Sequence, residues 1–440
     1  MDNRSLLSTP ITRRSALLTA LGLGAAGALT ACGGGSGDSD APVVFGIFGS
    51  ADKLEIRKNA IDAFIAAHPD NPVEYLGVPS DAWPDKIATM VASGNAPDVI
   101  TLAGGEVFTY ASRGTLEPLD AVEGFEPGNF TDAILDLGRA EDGTLYAAPI
   151  AASTQALGMN VSLLDRLDVA PPPEVWAFEE FADYCREVYD ASDGTVCGTQ
   201  DWAQSLGWWQ VWMRANGSAL FGDGAINASV DDIAAWLHMW EELRQEGVSV
   251  PIDVSAQWTP GSWPNSPMVK GLAVFSNIAV QDLESGYQSL MEDELTLTPP
   301  PSAEPGGSKG LYTAPSSCVT LNARSDKKER ALEVLNWFVS APESAQILGL
   351  ISGPPAADTA LAAVLEMEDL SQLQATVLSY TQEAFADIEP TPPAEIKGGI
   401  AAVTDLARRV NEEVGFGRMS ASEAAEQFVT EANQTLSTAS

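Results

Sequence analysis

The sequence predicts an α/β fold, because short apolar runs of strand length alternate with longer segments whose apolar residues recur at helical spacing. The alternation is clear after residue 42: residues 43–48 are apolar, Leu54, Ile61 and Phe64 fall at helical spacing, and residues 73–78 are again extended. The chain has 440 residues, 45% of them hydrophobic. That is enough for two lobes with separate cores.

The remaining elements continue the alternation. We expect a helix at 81–93 and a strand at 98–102, two strands at 145–150 and 156–160 around a crossover, and a strand at 319–322 before a helix at 327–339. The proline-rich run 298–310 is predicted to be the one long loop. Ser420 and Glu423 form a capping box that predicts a C-terminal helix.

The N-terminus has the pattern of a secretory signal peptide. Arg13 and Arg14 precede a run of small and apolar residues, 15–30, that is too short to span a bilayer permanently. Leu29 and Cys32, with two small residues between them, resemble the lipobox that precedes a lipidated cysteine. The sequence therefore predicts cleavage directly before Cys32.

These signals define an expected localisation. We predict a signal peptide at 1–31, lipid on Cys32, and a flexible linker at 32–41 that is rich in glycine. The paired arginines leave both twin-arginine export and general secretion open. In either case the protein is expected outside the cytoplasm, anchored to the cell membrane by its lipid.

The charge of the chain excludes several partners. There are 23 basic and 61 acidic residues, and the formal net charge is −38. Such a polyanion is not expected to bind nucleic acid, and it is repelled by anionic lipid headgroups. Contact with the membrane is therefore assigned to the lipid and not to a basic patch.

Three cysteines remain after Cys32. Cys185 and Cys197 are close enough in sequence for a disulfide, which would contribute about 3 kcal/mol for a loop of this size; the alternative is two unpaired thiols. Cys318 lies in an apolar run and is expected to be a small buried side chain.

Six segments match one known family in both residues and order. They are Ala96 to Ile100, Asp142 to Pro149, Asn160 with Leu163 and Leu164, Pro171 to Pro173 with Trp176, Lys270 to Asn277, and Ser325 to Lys328 with Trp337 and Phe338. Together they resemble the extracellular solute-binding proteins of sugar ABC importers, family 1, which are maltose-binding-protein-like. Val175 and Val274 depart from the family pattern without affecting the predicted fold.

The resemblance implies a two-lobe, periplasmic-binding-protein-like fold of type II, with a ligand cleft between lobes joined by a hinge. It places one lobe at 42–152 plus 310–353, the other at 153–309 plus 354–440, and one hinge strand near 150–154. The implied function is non-catalytic: a receptor closes around a mono- or oligosaccharide and delivers it to a membrane permease. We expect a monomer without cofactor or metal.

Tryptophan composition supports a sugar ligand, because sugar sites combine aromatic faces with side chains that form hydrogen bonds. Nine of the 11 tryptophans lie between residues 176 and 263. Trp236 and Trp240 are expected in the core, since they are four residues apart on a helix. Adjacent residues cannot share a helix face, so at most one of Trp208 and Trp209 is expected in the core. The aromatic ligand contacts predicted here are Trp208, Trp209, Trp258 and Trp263.

The other predicted contacts come from the implied cleft. Ser50, Asp52, Trp83 and Glu106 lie in loops where the family binds ligand, although each is also explained as a helix cap or surface residue. Thr154 and Gln155 lie at the crossover, Asn277 ends a predicted strand, and Ser316 follows a proline.

Enzymatic alternatives find little support. The string Gly306 to Gly310 matches a nucleophile elbow, but no histidine follows it. The two histidines, His68 and His238, give no triad or metal pattern. A secreted glycosidase with paired carboxylates stays open, as does a receptor for a polyamine, an osmolyte or a peptide.

Overall fold

The computed structural model describes residues 41–140, 142–258, 262–388 and 399–439. Residues 40–440 form one compact unit. The strands are β1 Val43–Gly49, β2 Val73–Pro79, β3 Val99–Leu102, β4 Leu116–Glu117, β5 Ala148–Ser153, β6 Gln155–Asn160, β7 Cys197–Thr199, β8 Phe221–Gly222, β9 Ala225–Ile226, β10 Ala273–Ala279, β11 Leu295–Thr298 and β12 Ala314–Asn322.

The helices are α1 Ala51–Ala67, α2 Trp83–Ser93, α3 Gly104–Ser112, α4 Asp132–Leu135, α5 Val161–Leu167, α6 Phe178–Ala191, α7 Leu206–Ala215, α8 Val230–Gln245, α9 Ile252–Ser255, α10 Lys328–Ser340, α11 Pro342–Leu348, α12 Asp358–Leu365, α13 Gln372–Asp387, α14 Ile400–Gly415 and α15 Ala421–Ala439. Short 3-10 turns, including Trp202–Gln204, connect some of them.

The first sheet has the order β2-β1-β3-β12-β4, and β5 also pairs with β12. Strands β1, β2 and β3 are parallel, whereas β12 runs antiparallel to β3, β4 and β5. Its core contains Phe45 and Phe338, whose ring centroids are 5.0 Å apart, together with the buried Phe64. Alternate apolar residues of β1 therefore face the helices that cover this sheet.

The second sheet has the order β11-β6-β10-β7. It is antiparallel except for the β10–β7 pair. Its core is aromatic: Trp176, Phe181, Trp202 and Phe275 are all buried, and Trp176 meets both Phe181 and Phe275 edge to face. Helix α6 packs on β7, and α8 packs against α14 and α15 beside it.

Local signals account for several boundaries. Asn160 ends β6 and caps α5, because its Oδ1 accepts a hydrogen bond from Leu163 N at 2.8 Å. The capping box of α15 is present as predicted, with Ser420 N donating to Glu423 Oε2 and Glu423 N donating to Ser420 Oγ. His68 ends α1 and stacks on Phe64.

Helix α12 lies close to the first sheet. It packs against α10 and α11, and α10 covers that sheet. The lobe boundaries stay predictions.

The cysteines of the described region are free thiols. The structure therefore does not contain the predicted bridge between Cys185 and Cys197. Cys185 is instead fully buried on α6, where β7 crosses it closely: a Cβ on Gly198 would lie 2.2 Å from the Cys185 Cβ. Cys318 is buried, as expected.

The predicted signal peptide, Cys32 and the linker up to residue 40 lie outside the described residues. Within the described ranges, no helix combines the length and apolar character needed to cross a bilayer.

Candidate ligand-binding site

Strand direction brings one set of loops to a single edge of the first sheet. Parallel β1, β2 and β3 end at Gly49, Pro79 and Leu102. Because β12 is antiparallel to β3, its first residues lie at this same edge, with Cys318 opposite Leu102. The end of β5 lies there too, since Ser153 pairs with Ala314.

The second sheet presents a matching edge. Gln155 at the start of β6 lies opposite Ala279 at the end of β10, and the ends of β7 and β11 share this side. Only Thr154 separates β5 from β6, so the two edges adjoin at this crossover. Val280 N donates to Thr154 O at 3.1 Å, and Tyr380 Oη donates to Gln155 O at 2.9 Å. Both residues of the crossover, Thr154 and Gln155, are therefore fixed by hydrogen bonds to their carbonyl oxygens.

Four residues around the crossover carry buried polar atoms without a hydrogen-bond partner among the described residues. They are Thr154 Oγ1, Gln155 Oε1, Ser317 Oγ, and both amide atoms of Gln204. Leaving such a group unsatisfied costs about 1–3 kcal/mol, and native proteins rarely do so without a reason. Ser317 pairs with Ala151 of β5 in the first sheet, whereas Gln204 follows β7 in the second. The first sheet, the crossover and the turn after β7 therefore each carry a buried neutral donor or acceptor without a partner among the described residues.

Neighbouring polar side chains at the second edge are hydrogen-bonded to one another. Gln200 Nε2 donates to Asn277 Oδ1 at 2.5 Å, and Ser266 Oγ donates to Gln200 Oε1 at 3.4 Å. Ser276 Oγ donates to the Tyr287 hydroxyl at 2.7 Å. This network fixes the rotamers of these side chains, and the role of Asn277 as a ligand contact stays a prediction.

A buried ion pair holds the turn that carries Gln204. Asp201 Oδ2 lies 2.6 Å from Arg244 NH1, with side-chain exposures of 0% and 5%, and also accepts from Asn411 Nδ2 at 3.1 Å. Asp201 Oδ1 accepts from Ala203 N at 2.9 Å, which caps the Trp202–Gln204 turn. The carboxylate therefore positions Gln204 relative to α8 and α14.

Tyr312 joins the crossover to the start of α7. Gln155 forms a side-chain hydrogen bond with its phenol, and burial raises the pKa of Tyr312 to about 12, so the hydroxyl is neutral. A Cβ on Gly207 would lie 3.2 Å from the Tyr312 hydroxyl, tighter than most contacts of a real Cβ. Glycine at the first turn of α7 therefore leaves room for this hydroxyl.

Four of the predicted ligand contacts follow strands of the first sheet. Ser50 is the exposed N-cap residue of α1, without a side-chain capping bond, and Asp52 is exposed in the first turn; both stay predictions. The Glu106 carboxylate accepts from Ala103 N at 3.1 Å and so caps α3. Trp83 is buried and its indole donates to Thr101 O at 3.0 Å, so its place in the core is accounted for, and its role as a ligand contact stays a prediction.

The adjacent tryptophans also require a correction. Trp208 and Trp209 are both buried, although at most one was expected in the core. Their rings do point to different sides of α7, but both sides are covered: Trp208 packs on Trp202 at 4.7 Å and Trp209 on Phe428 at 4.9 Å. We therefore assign both to the core, as predicted and observed for Trp236 and Trp240.

The other aromatic and hydroxyl candidates stay predictions. Trp263 is half-buried and its ring lies over Gly286, where a Cβ would come within 2.6 Å. Trp258 is buried, and its indole N–H has no partner among the described residues. Ser316 lies at the start of β12, with Oγ 3.5 Å from Ala151 O.

Sequence reasoning missed Gln200 and Tyr312. Gln200 directly follows the end of β7, and Tyr312 lies two residues before β12. Polar residues that flank strand ends were therefore the signal that could have identified both. Gln204, on the turn after β7, and Ser317, inside β12, do not show this signal.

Comparison with known proteins identifies the family. The family model for bacterial extracellular solute-binding proteins matches residues 59–374. Provisionally named binding proteins of Brucella abortus are 30% identical over 123 residues, and the chain covers 29% of the length of these curated relatives.

Solved structures extend the likeness over most of the chain. A family 1 extracellular solute-binding protein from Alicyclobacillus acidocaldarius is 25% identical with a TM-score of 0.74, covering 90% of this chain and 98% of that one. The oligogalacturonide-binding protein of Yersinia enterocolitica is 16% identical with a TM-score of 0.76, covering 90% and 99%. The GacH receptor of Streptomyces glaucescens is 18% identical with a TM-score of 0.70, covering 90% and 98%.

The last two similarities show the fold alone, which is that of two-lobe solute-binding proteins. The family model covers well over half of the chain. The chain belongs to the family of bacterial extracellular solute-binding proteins.

Proposed function

We propose that this protein captures a carbohydrate outside the cytoplasm and delivers it to the permease of an ABC importer. The observation that carries the proposal is a set of buried neutral groups on Thr154, Gln155, Gln204 and Ser317 that have no hydrogen-bond partner in the part of the chain that the structure describes. Amides and hydroxyls that both donate and accept suit the hydroxyl groups of a sugar. Charged ligands would instead favour ionised partners at the same positions.

The ligands of structural relatives agree with a sugar. The Yersinia protein was solved with digalacturonic acid, the Streptomyces receptor with acarbose, and a Listeria monocytogenes substrate-binding protein with cycloalternan. Trp263, half-buried near the cleft, would supply an apolar face for a sugar ring.

In this proposal, ligand capture depends on groups from both sheets contacting the same ligand. A ligand that touches Ser317 of the first sheet and Gln204 of the second gains both contacts only when the lobes are closed. Such differential contacts shift the population towards the closed state. The crossover at Thr154 serves as a hinge strand in this proposal.

The lipid on Cys32 would keep the receptor at the cell membrane beside its permease. Two acyl chains give durable attachment, at about 0.8 kcal/mol per buried CH2. The glycine-rich residues that follow Cys32 would act as a tether. The receptor is proposed to act as a monomer.

The test uses a form that begins at Gly33, which retains the whole compact unit 40–440. Tryptophan fluorescence and calorimetry would follow titration with mono- and oligosaccharides, betaine, spermidine and short peptides. Saturable binding of an intact sugar supports the proposal. Tight binding of only a cation, osmolyte or peptide would replace the sugar with the other ligand class, and release of a hydrolysed product would indicate a glycosidase.

A matched pair of variants locates the site. Gln204→Leu removes a buried amide at the cleft and should weaken sugar binding about 10- to 100-fold, as expected for one or two lost hydrogen bonds. Gln245→Leu makes the same change on the exposed end of α8 and should leave the affinity unchanged. Equal effects of the two variants would contradict the assignment.

A further inference from the structure

A buried arginine lies at the edge of the first sheet where β1 ends. Arg57 of α1 is 4% exposed, and within the described ranges it forms no ion pair with a carboxylate. Its NH1 donates to Phe48 O, and its NH2 donates to Ser352 Oγ at 2.7 Å. Burial lowers the pKa of Arg57 to about 10, so the guanidinium stays charged at neutral pH. A buried cation is therefore held at this edge by neutral hydrogen-bond acceptors.

Lys53 adds a second positive charge one turn earlier on α1. A Cβ on Gly49, the last residue of β1, would lie 3.2 Å from both the Lys53 Cβ and Arg57 NH1. Lys53 is half-buried, and its side chain forms no hydrogen bond or ion pair with the part of the chain that the structure describes. Burial lowers the pKa of Lys53, and the charge of Arg57 lowers it further. The two cations therefore repel each other at the end of β1.

The second sheet brings a carboxylate to the same place. Asp282 is half-buried and lies three residues after the end of β10. The residue before it, Gln281, accepts a hydrogen bond from Ser153 Oγ at the end of β5. A Cβ on Gly353 would lie 3.5 Å from the Gln281 Cβ. Since Gly353 directly follows Ser352, to which the arginine of α1 donates, the carboxylate and the cations adjoin one segment.

Lys53 and Asp282 act on each other without touching. Burial raises the pKa of Asp282 to about 6, and the charge of Lys53 lowers it in part. Asp282 in turn raises the pKa of Lys53. Neither carries an ion pair to another described residue. A charge that follows the first sheet therefore faces an opposite charge that follows the second, across the crossover.

Several other ionisable groups lie on the elements around Asp282. Two of them are tyrosines that burial keeps neutral, because it raises their pKa. One carboxylate accepts a hydrogen bond from α13, and the other carboxylates are exposed. The charge that acts on Asp282 is that of Lys53. The surrounding groups are Glu284 and Tyr287 on the same turn, Tyr380 and Glu383 on α13, and Asp52 and Glu55 on α1.

The Asp282 carboxylate lowers the stability of the folded protein at neutral pH. Its pKa is higher in the folded chain than the ordinary value of 3.8, so its ionisation favours unfolding. A neutral asparagine would avoid this loss. A charged group that is retained at a cost in stability, where two sheets meet, is typical of a group that serves function.

We propose that Lys53 and Asp282 attract each other across the crossover and favour the closed state, so that ligand binding weakens in acid. This inference rests on the two-lobe receptor role proposed above. Their charges approach more closely on closure, and half-burial strengthens the attraction because solvent screens it less. Protonation of Asp282 removes the attraction and leaves the two cations of α1 unopposed. The closed population should therefore fall as pH falls through about 6.

The first test needs no ligand. Small-angle X-ray scattering on the form from Gly33 would compare pH 7.5 with pH 5.0, which lies below the pKa of Asp282 and above that of ordinary carboxyl groups. The radius of gyration of the wild type should increase at pH 5.0. Asp282→Asn should show the larger radius at both pH values. Glu284→Gln, the matched control on the same turn, should behave as the wild type does.

The second test measures affinity by calorimetry with the mono- and oligosaccharides named above. The Kd of a sugar that binds the wild type should rise about tenfold from pH 7.5 to pH 5.0. Lys53→Gln and Asp282→Asn should each weaken binding about tenfold at pH 7.5 and remove its pH dependence. The double variant should bind as tightly as either single variant, because one attraction can be lost only once.

Three results would overturn the inference. They are a radius and a Kd that both stay unchanged at pH 5.0, a pH dependence that persists in Asp282→Asn, and additive losses in the double variant, which would show that Lys53 acts on the ligand independently. If no sugar binds but the radius still depends on Asp282, the carbohydrate function is refuted and the inference stands. Melting followed by circular dichroism checks folding of each variant.

Discussion

Replacing Asp201 by alanine should destabilise the protein strongly. The Asp201 carboxylate is fully buried and accepts hydrogen bonds from Arg244, Asn411 and the backbone of Ala203. Without it, the Arg244 guanidinium stays buried without its anionic partner. Breaking a buried pair from one side typically costs about 3–5 kcal/mol.

A double-mutant cycle separates the energetic contribution of the Asp201–Arg244 ion pair from that of side-chain packing. Arg244→Met keeps most of the side-chain volume and removes the charge. In the double variant no charge is left unpaired, so its loss should be smaller than the sum of the single losses by about 1–3 kcal/mol. The free energy of unfolding would be measured in urea by tryptophan fluorescence and circular dichroism.

Two results would refute this reasoning. One is a loss below about 1 kcal/mol for Asp201→Ala, which lies in the range of an exposed pair. The other is strict additivity in the cycle. Asp201→Ala should also weaken ligand binding, because the turn that carries Gln204 loses its cap.

Three further expectations concern a carboxyl group, an indole and the thiols. Burial raises the pKa of Asp282 to about 6 from 3.8, so its contribution to stability is present below about pH 4 and is lost as pH rises through 6. The free energy of unfolding of Asp282→Asn should therefore gain up to about 3 kcal/mol relative to wild type between pH 3.5 and 7.5. A difference between the two proteins in urea unfolding that stays constant with pH contradicts this. Trp83→Phe should lower the free energy of unfolding by about 1 kcal/mol through its lost hydrogen bond and leave ligand affinity unchanged if Trp83 serves only the core. A tenfold loss of affinity would instead support Trp83 as a ligand contact. In the unfolded chain that begins at Gly33, a thiol reagent should detect three thiols, at Cys185, Cys197 and Cys318. Detection of only one would indicate a bridge between Cys185 and Cys197. The native chain should react slowly at pH 8, because burial raises the pKa of Cys197 to about 11.

The elements that were predicted well depend on local patterns. The strand expected at 43–48 is β1 Val43–Gly49, and the helix expected at 327–339 is α10 Lys328–Ser340. Both follow from apolar periodicity and short-range caps, which neighbouring residues determine. The family resemblance supplied the two-lobe fold, which periodicity alone does not specify.

The environment of the tryptophans could not be predicted in this way. Trp209 is buried because α15, more than 200 residues later in the chain, covers its side of α7 through Phe428. The second face of α7 therefore depends on a partner that local sequence does not reveal. Gln204 shows the opposite difference. A polar residue on a short turn is expected to be exposed, yet the Gln204 amide is buried.

The placement of β12 has a consequence for how the protein is made. Thr320 Oγ1 donates to Ile100 O across 220 residues of sequence, and β12 also pairs with β4 and β5. At a synthesis rate of about 5–20 residues per second, β3 emerges roughly 10–40 s before the strand that covers its edge. An unpaired edge of that kind recruits other chains. For that interval the first sheet of the nascent chain is incomplete and open to pairing with other chains. The sheet is completed only after about three quarters of the chain has been synthesised.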